Sequence, residues 1–239
     1  MNTTTTPPAD TPTELITAVV NLIGTGPVPL GAYTVAEVFS VGGLLEFLEQ
    51  EPSKEAITEA VRSLAARDLI ATDKGDENIE VRGDLGIAVA FQQRSQVFLD
   101  ARLTGTDPDT PWRFLLMPQP ENVTLEVMID ALGIHFFSLR TTEDAFKRLV
   151  ERLPAGDRGP EDANLDAALA ASPKTALVTV SRWRDSGERE KTDVILARER
   201  DHLHVFMRDA DDPDHFKPQG IDHDQLRPLL DRLAAQPAG

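Results

Sequence analysis

Two stretches of this chain carry the same pattern, and that repetition limits the available folds more than any other feature. Residues 97–153 read as four short strands and a helix, and residues 176–235 read so again. The first set is VFLDARL (97–103), WRFLLM (112–117), VTLEVMID (123–130) and IHFFSLR (134–140), followed by the amphipathic TTEDAFKRLVERL. The second is ALVTVSRW (176–183), TDVILARER (192–200), HLHVFMRD (202–209) and a weaker HFKPQGI (215–221), closed by DHDQLRPLLDRLAA. A repeated unit buries its apolar face against its copy. Within VTLEVMID, Val123, Leu125, Val127 and Ile129 point one way, and Thr124, Glu126, Met128 and Asp130 the other. Such alternation predicts an antiparallel sheet with one face buried and one wet. The expected fold is α+β: an N-terminal helical, winged-helix-like region, then duplicated ββββα units forming a twisted antiparallel sheet with quasi-two-fold symmetry.

Composition shifts divide the chain into a disordered Thr- and Pro-rich tail (1–12), a helical region (13–96), the first repeat (97–154), a linker with a short helix (155–175) and the second repeat (176–239). Helices are expected at 13–23, 34–49 (with Gly42-Gly43 able to break it into two), 53–68 and 84–94. The third is the clearest, with Ser53 as its cap and Ile57, Ala60, Val61 and Leu64 along one face. GTGPVPLG (24–31) reads as a turn-rich connector, because it lacks the lysine and the strand–helix context of a phosphate loop. A hairpin is expected from 69–71 and 79–81 around a polar turn at 73–78.

Charge excludes several classes of partner. Forty acidic side chains against 24 basic ones give a formal charge of −16, which duplex nucleic acid and anionic membranes repel. The absence of cysteine excludes disulfides and thiolate metal sites. The first basic residue is Lys54, so 15–23 lacks the positive flank of a secretory signal, and no apolar run approaches the ~20 residues that span a bilayer. A cytoplasmic protein is expected.

Catalytic signatures are missing: there is no nucleophile elbow and no serine set in a known motif with His and Asp. No cofactor and no metal site is expected. His202 and His204 share a strand face near the acidic loop 209–215 (DADDPDH), but that loop lacks the glycine and the glutamate of a calcium-binding hand. A role for Asp209–His215 in holding an ion stays open. The helix at 53–68 and its hairpin outline a winged helix. Its cations Lys54, Arg62 and Arg67 are balanced by Glu55, Glu59 and Asp68, which favours a packing module over a reader of DNA. Apolar side chains on the expected wet face carry more information. Met128, Trp183 and Phe206 either lie beneath helices or form an adaptable patch for a partner's amphipathic helix.

The order of elements, with LAARDLI (64–70), LDARL (99–103) and RLP (152–154), resembles the EspG family, the ESX secretion-associated chaperones of actinobacterial type VII secretion. The resemblance covers 53–154 well and 176–235 in outline. It implies a cytosolic chaperone whose central antiparallel sheet is flanked by helical bundles and which keeps helical secretion substrates of the PE–PPE class soluble. Here the helical segment between the repeats is reduced to 164–172, so no binding residue transfers from the family. The expected function is a non-enzymatic chaperone or adaptor for an apolar helical segment of a client protein, with Met128, Trp183 and Phe206 as the candidate surface. The alternative is a winged-helix transcriptional regulator with the repeats as a sensor or dimerisation module. Nothing in the sequence marks the outermost strands, which leaves a homodimer through a sheet edge open.

Overall fold

The structure, a computed structural model, describes residues 13–44, 47–48, 50–72, 79–105, 110–183, 189–209, 211–212 and 214–235. The tail expected at 1–12 and the turn expected at 73–78 lie outside the described residues.

A ten-stranded sheet organises an α+β fold. The strands expected from alternation form as β4 (Val97–Thr104), β5 (Arg113–Pro118), β6 (Val123–Ile129), β7 (His135–Thr141), β9 (Lys174–Trp183), β10 (Arg189–Glu199), β11 (His202–Arg208) and β12 (Phe216–Gln219). With β1 (Val28–Tyr33) the spatial order is β1-β7-β6-β5-β4-β9-β10-β11-β12, every neighbouring pair antiparallel. At its centre β4 pairs with β9 along its whole length, from Val97↔Arg182 to Thr104↔Thr175. A two-residue strand, β8 (Asp157–Arg158), runs parallel to β11 inside the segment expected to be only a linker. Beyond it lies the expected short helix, α6 (Leu165–Ala171).

Helices pack on both faces, which corrects the expectation of one wet face. On one side α1 (Thr13–Ile23), α2 (Val35–Ser40), α3 (Lys54–Ala66) and α4 (Gly83–Gln93) bury Val123, Leu125, Val127, Phe137 and Leu139. On the other, α5 (Thr142–Arg152) and α7 (Leu226–Ala234) cover Leu99, Leu116, Val178 and Val205. Thr124 and Glu126, expected in water, are fully buried. Glu126 is neutralised by Arg140 of β7 and by Arg148 of α5, whose Nε lies 3.3 Å away. A buried carboxylate survives only when paired in this way.

Two further corrections concern the N-terminal region. The helix expected at 34–49 stops at Ser40, where Gly42 turns left-handed (φ +70°). The connector at 24–31 contributes instead to edge strand β1, which buries Leu30 and Tyr33. Pro29 and a register shift before Gly31 obscured this strand, and an edge is where a sheet tolerates both. Helix α3 forms as expected, Ser53 accepting the Ala56 N–H, and it is followed by the hairpin β2 (Ile70–Thr72) and β3 (Ile79–Val81). Glu37 ties α2 to α3 by accepting hydrogen bonds from Ser63 Oγ (2.8 Å) and Arg67 Nη1 (3.1 Å).

Candidate functional site

A cleft of about 380 Å³ opens where the ends of β5, β6 and β7 meet the loop after α2. Its walls are apolar: Val35, Phe47, Leu48, Trp112 and Ile129. These residues converge because β5 and β6 pair through Arg113↔Ile129, β6 and β7 through Ile129↔His135, and β1 reaches the same end through Tyr33↔His135.

The floor is polar and buried. Arg113 donates from Nε and Nη2 to the two carboxylate oxygens of Asp100, each at 2.8 Å, and from Nη1 to the Phe47 carbonyl, also at 2.8 Å. Every guanidinium nitrogen is therefore engaged. Beside it lies His135, buried with its Nδ1 3.0 Å from the Gly133 carbonyl. A carbonyl only accepts, so Nδ1 carries the proton and Nε2 is left as an acceptor. Burial pushes the His135 pKa below the ordinary imidazole value, and the positive charge of Arg113 pushes it the same way, against the Gly133 hydrogen bond and Asp130. Both effects favour the neutral ring.

Against this cleft stands the β6–β7 turn. The Asp130 carboxylate accepts the N–H groups of Leu132 and Ile134 at 2.9 Å, and its carbonyl accepts from Gly133 N (3.0 Å) and Trp112 Nε1 (2.9 Å). Gly133 supplies the left-handed residue of the turn (φ +76°). The turn so fixed holds Leu132 out at 86 % exposure, and Val35 is exposed at the neighbouring rim.

The residues singled out by sequence do not form one surface. Phe206 is buried under α6 with Ala168 and Ala197. Trp183 is half-buried, its ring 4.9 Å from that of Phe98 and capped by the Arg189 guanidinium at 4.5 Å. Met128 lies on the opposite sheet face, against the α5–α7 layer, with Arg148 Nη2 3.5 Å from its sulfur. Of the histidines on β11, His204 is buried with Nε2 3.5 Å from Glu199, while His202 is exposed. Among the described residues no group of three or more His, Asp or Glu side chains is arranged to hold a metal. In the acidic loop Asp209–His215, of which residues 210 and 213 lie outside the described residues, Asp209 pairs with Lys217 at 2.5 Å. No described helix is long and apolar enough to cross a membrane.

Sequence reasoning passed over the cleft, although one signal was present. Asp100 and Arg113 interrupt otherwise apolar strands, and opposite charges on adjacent buried strands point to a paired, desolvated floor. Comparison with models of protein families finds no match to this chain, and comparison with curated proteins finds none.

Proposed function

We propose that this protein is a non-enzymatic adaptor or chaperone that holds an apolar helical segment of a partner protein, in the manner of EspG-type secretion chaperones. One observation carries the reading: a hydrogen-bonded turn leaves Leu132 in solvent next to Gly133, which lines a largely apolar cleft. Apolar groups held out beside a concave apolar surface are the mark of a site that a partner covers.

Three features support it. Among the described residues the cleft lining sets no serine, threonine or carboxylate beside His135, and its largely apolar walls suit a binding role. The strand order fits a duplicated ββββα unit, with a quasi-two-fold axis between β4 and β9, as the EspG resemblance implies. The exposed cation of mid-α3, Arg62, is paired with Glu59, and Arg82, just after the hairpin, is paired with Glu80, which weighs against the DNA-reading alternative.

Affinity capture from native cytosol tests the proposal, using wild type beside Leu132→Asp and Val35→Asp, two exposed positions where the charge leaves the core untouched. Stoichiometric recovery of one helical protein by wild type, lost in both variants, is the expected result. Equal recovery by the variants would move the interface off this corner. Recovery of nothing by a monodisperse wild type would sink the adaptor reading.

A further inference from the structure

We infer that the end of the β10–β11 hairpin binds a divalent transition-metal ion of the zinc class, held by His204, Glu199 and His202; this goes beyond the adaptor reading and does not rest on it. His204 is 7 % exposed, and neither of its ring nitrogens has a hydrogen-bond partner. A buried polar group in that position is costly unless a ligand or a water meets it. The ring helps to line a cavity of about 190 Å³, together with Pro160, Glu199, Arg200, Asp201 and His202. Gly159, in the strap that follows β8, lies close over it, since a Cβ added there would come 2.7 Å from Nδ1. Nδ1 therefore faces the strap, and Nε2 faces Glu199.

Nε2 stands 3.5 Å from Oε2 of Glu199, and no hydrogen bond joins them. The separation suits two ligands of one ion: zinc bonds of about 2.0–2.2 Å meeting near the tetrahedral angle set their donor atoms about 3.4 Å apart. His202 supplies the third donor. It lies two residues from His204 on β11, hence on the same sheet face, and directly opposite Glu199 across the β10–β11 ladder. Among the described residues two donors stand together rather than three, and exposed His202 completes the set by rotating its side chain. Two imidazoles and a carboxylate select zinc-class ions over magnesium and calcium, which take oxygen ligands. Charge favours a cation here: Glu199 and Asp201 outweigh the exposed Arg200, and the chain as a whole carries −16. An anion would meet both carboxylates, so the same cavity opposes it.

The test titrates the untagged full chain with Zn²⁺ and, separately, with Mg²⁺ by calorimetry, and follows the histidine ring nitrogens by NMR. One Zn²⁺ per chain is expected, with a shift at Nε2 of His204, and Mg²⁺ should bind far more weakly. His202→Ala and Glu199→Gln change side chains at least partly open to solvent, so the fold should survive both. Each should weaken Zn²⁺ at least about tenfold, a loss that even an outer-shell partner of a metal ligand commonly brings. His215→Ala, whose side chain does not line the cavity, should bind as wild type does. Absence of Zn²⁺ binding by wild type, or binding that either of the first two variants leaves intact, would overturn the site. Loss in His215→Ala would overturn it by moving the ion to the acidic loop. A shift at His202 with none at His204, read in wild type, would overturn the part given to the buried ring. Equal affinity for Mg²⁺ would mean attraction by charge alone and overturn the donor set.

Discussion

Replacing Arg113 by leucine asks directly whether the cleft floor is a desolvated ion pair. The Arg113 side chain is 3 % exposed and that of Asp100 9 %. Losing the guanidinium removes two hydrogen bonds from the buried carboxylate and one from the Phe47 carbonyl. Breaking such a pair from one side costs about 3–5 kcal/mol, because the remaining charge is stranded away from water. Arg102, partly exposed, keeps its Nε 3.3 Å from Asp100 and relieves part of that cost. The lower figure, about 3 kcal/mol, is therefore expected. In a chain of this size it corresponds to a melting temperature lower by roughly 6–12 °C. Changing both residues to leucine should recover most of the loss, since a buried pair exchanged for apolar groups of similar volume is often near neutral. A double-mutant cycle in urea, read by tryptophan fluorescence, isolates the coupling. A coupling below about 1 kcal/mol, the range of exposed pairs, would refute the reasoning. The floor would then be solvated, and the argument for a neutral His135 would weaken with it.

Two further outcomes follow from the same corner and from the centre of the sheet. Because the folded-state pKa of His135 is depressed, the unfolded chain binds the extra proton more readily, so the residue's contribution to stability is complete above about 6.5 and is lost as pH falls from there through the folded value. Urea unfolding at pH 7.5 and pH 5 should show wild type losing more stability on acidification than His135→Phe, and an equal loss would contradict the burial argument. Gly105 closes β4 at φ +66°, where an added Cβ would sit 2.0 Å from the Pro173 carbonyl oxygen at the start of β9. Gly105→Ala should therefore cost at least about 2 kcal/mol in a thermal melt, and a silent substitution would mean that the β4–β9 junction yields more easily than its geometry implies.

Alternation along a strand tells which side chains share a face, but it carries no information on whether a helix lies over that face. That limit separates what was legible in this sequence from what was not. The eight strands 97–104 to 216–219 and the helices α3, α5 and α7 follow from periodicity and caps, since those signals are local. The covering of the second face is not local: it depends on α5 and α7 folding back from the ends of their strand runs. Hence Thr124 and Glu126 read as wet although both are buried, and the choice left open for Phe206 falls to burial, by α6 on the opposite face. Yet the charges held the missing information. A solvated glutamate needs no partner, whereas Glu126 has Arg140 on the adjacent strand and Arg148 on the helix that covers it, with Asp144 in turn 2.7 Å from Arg140. Asp100 with Arg113 repeats the arrangement on the other face. Charges placed on positions that alternation assigns to water, but paired with opposite charges on neighbouring strands, mark a face that something covers. Applied to β4 and β5, that rule locates the floor of the cleft, while an exposed leucine on a glycine-bearing turn stands beside it.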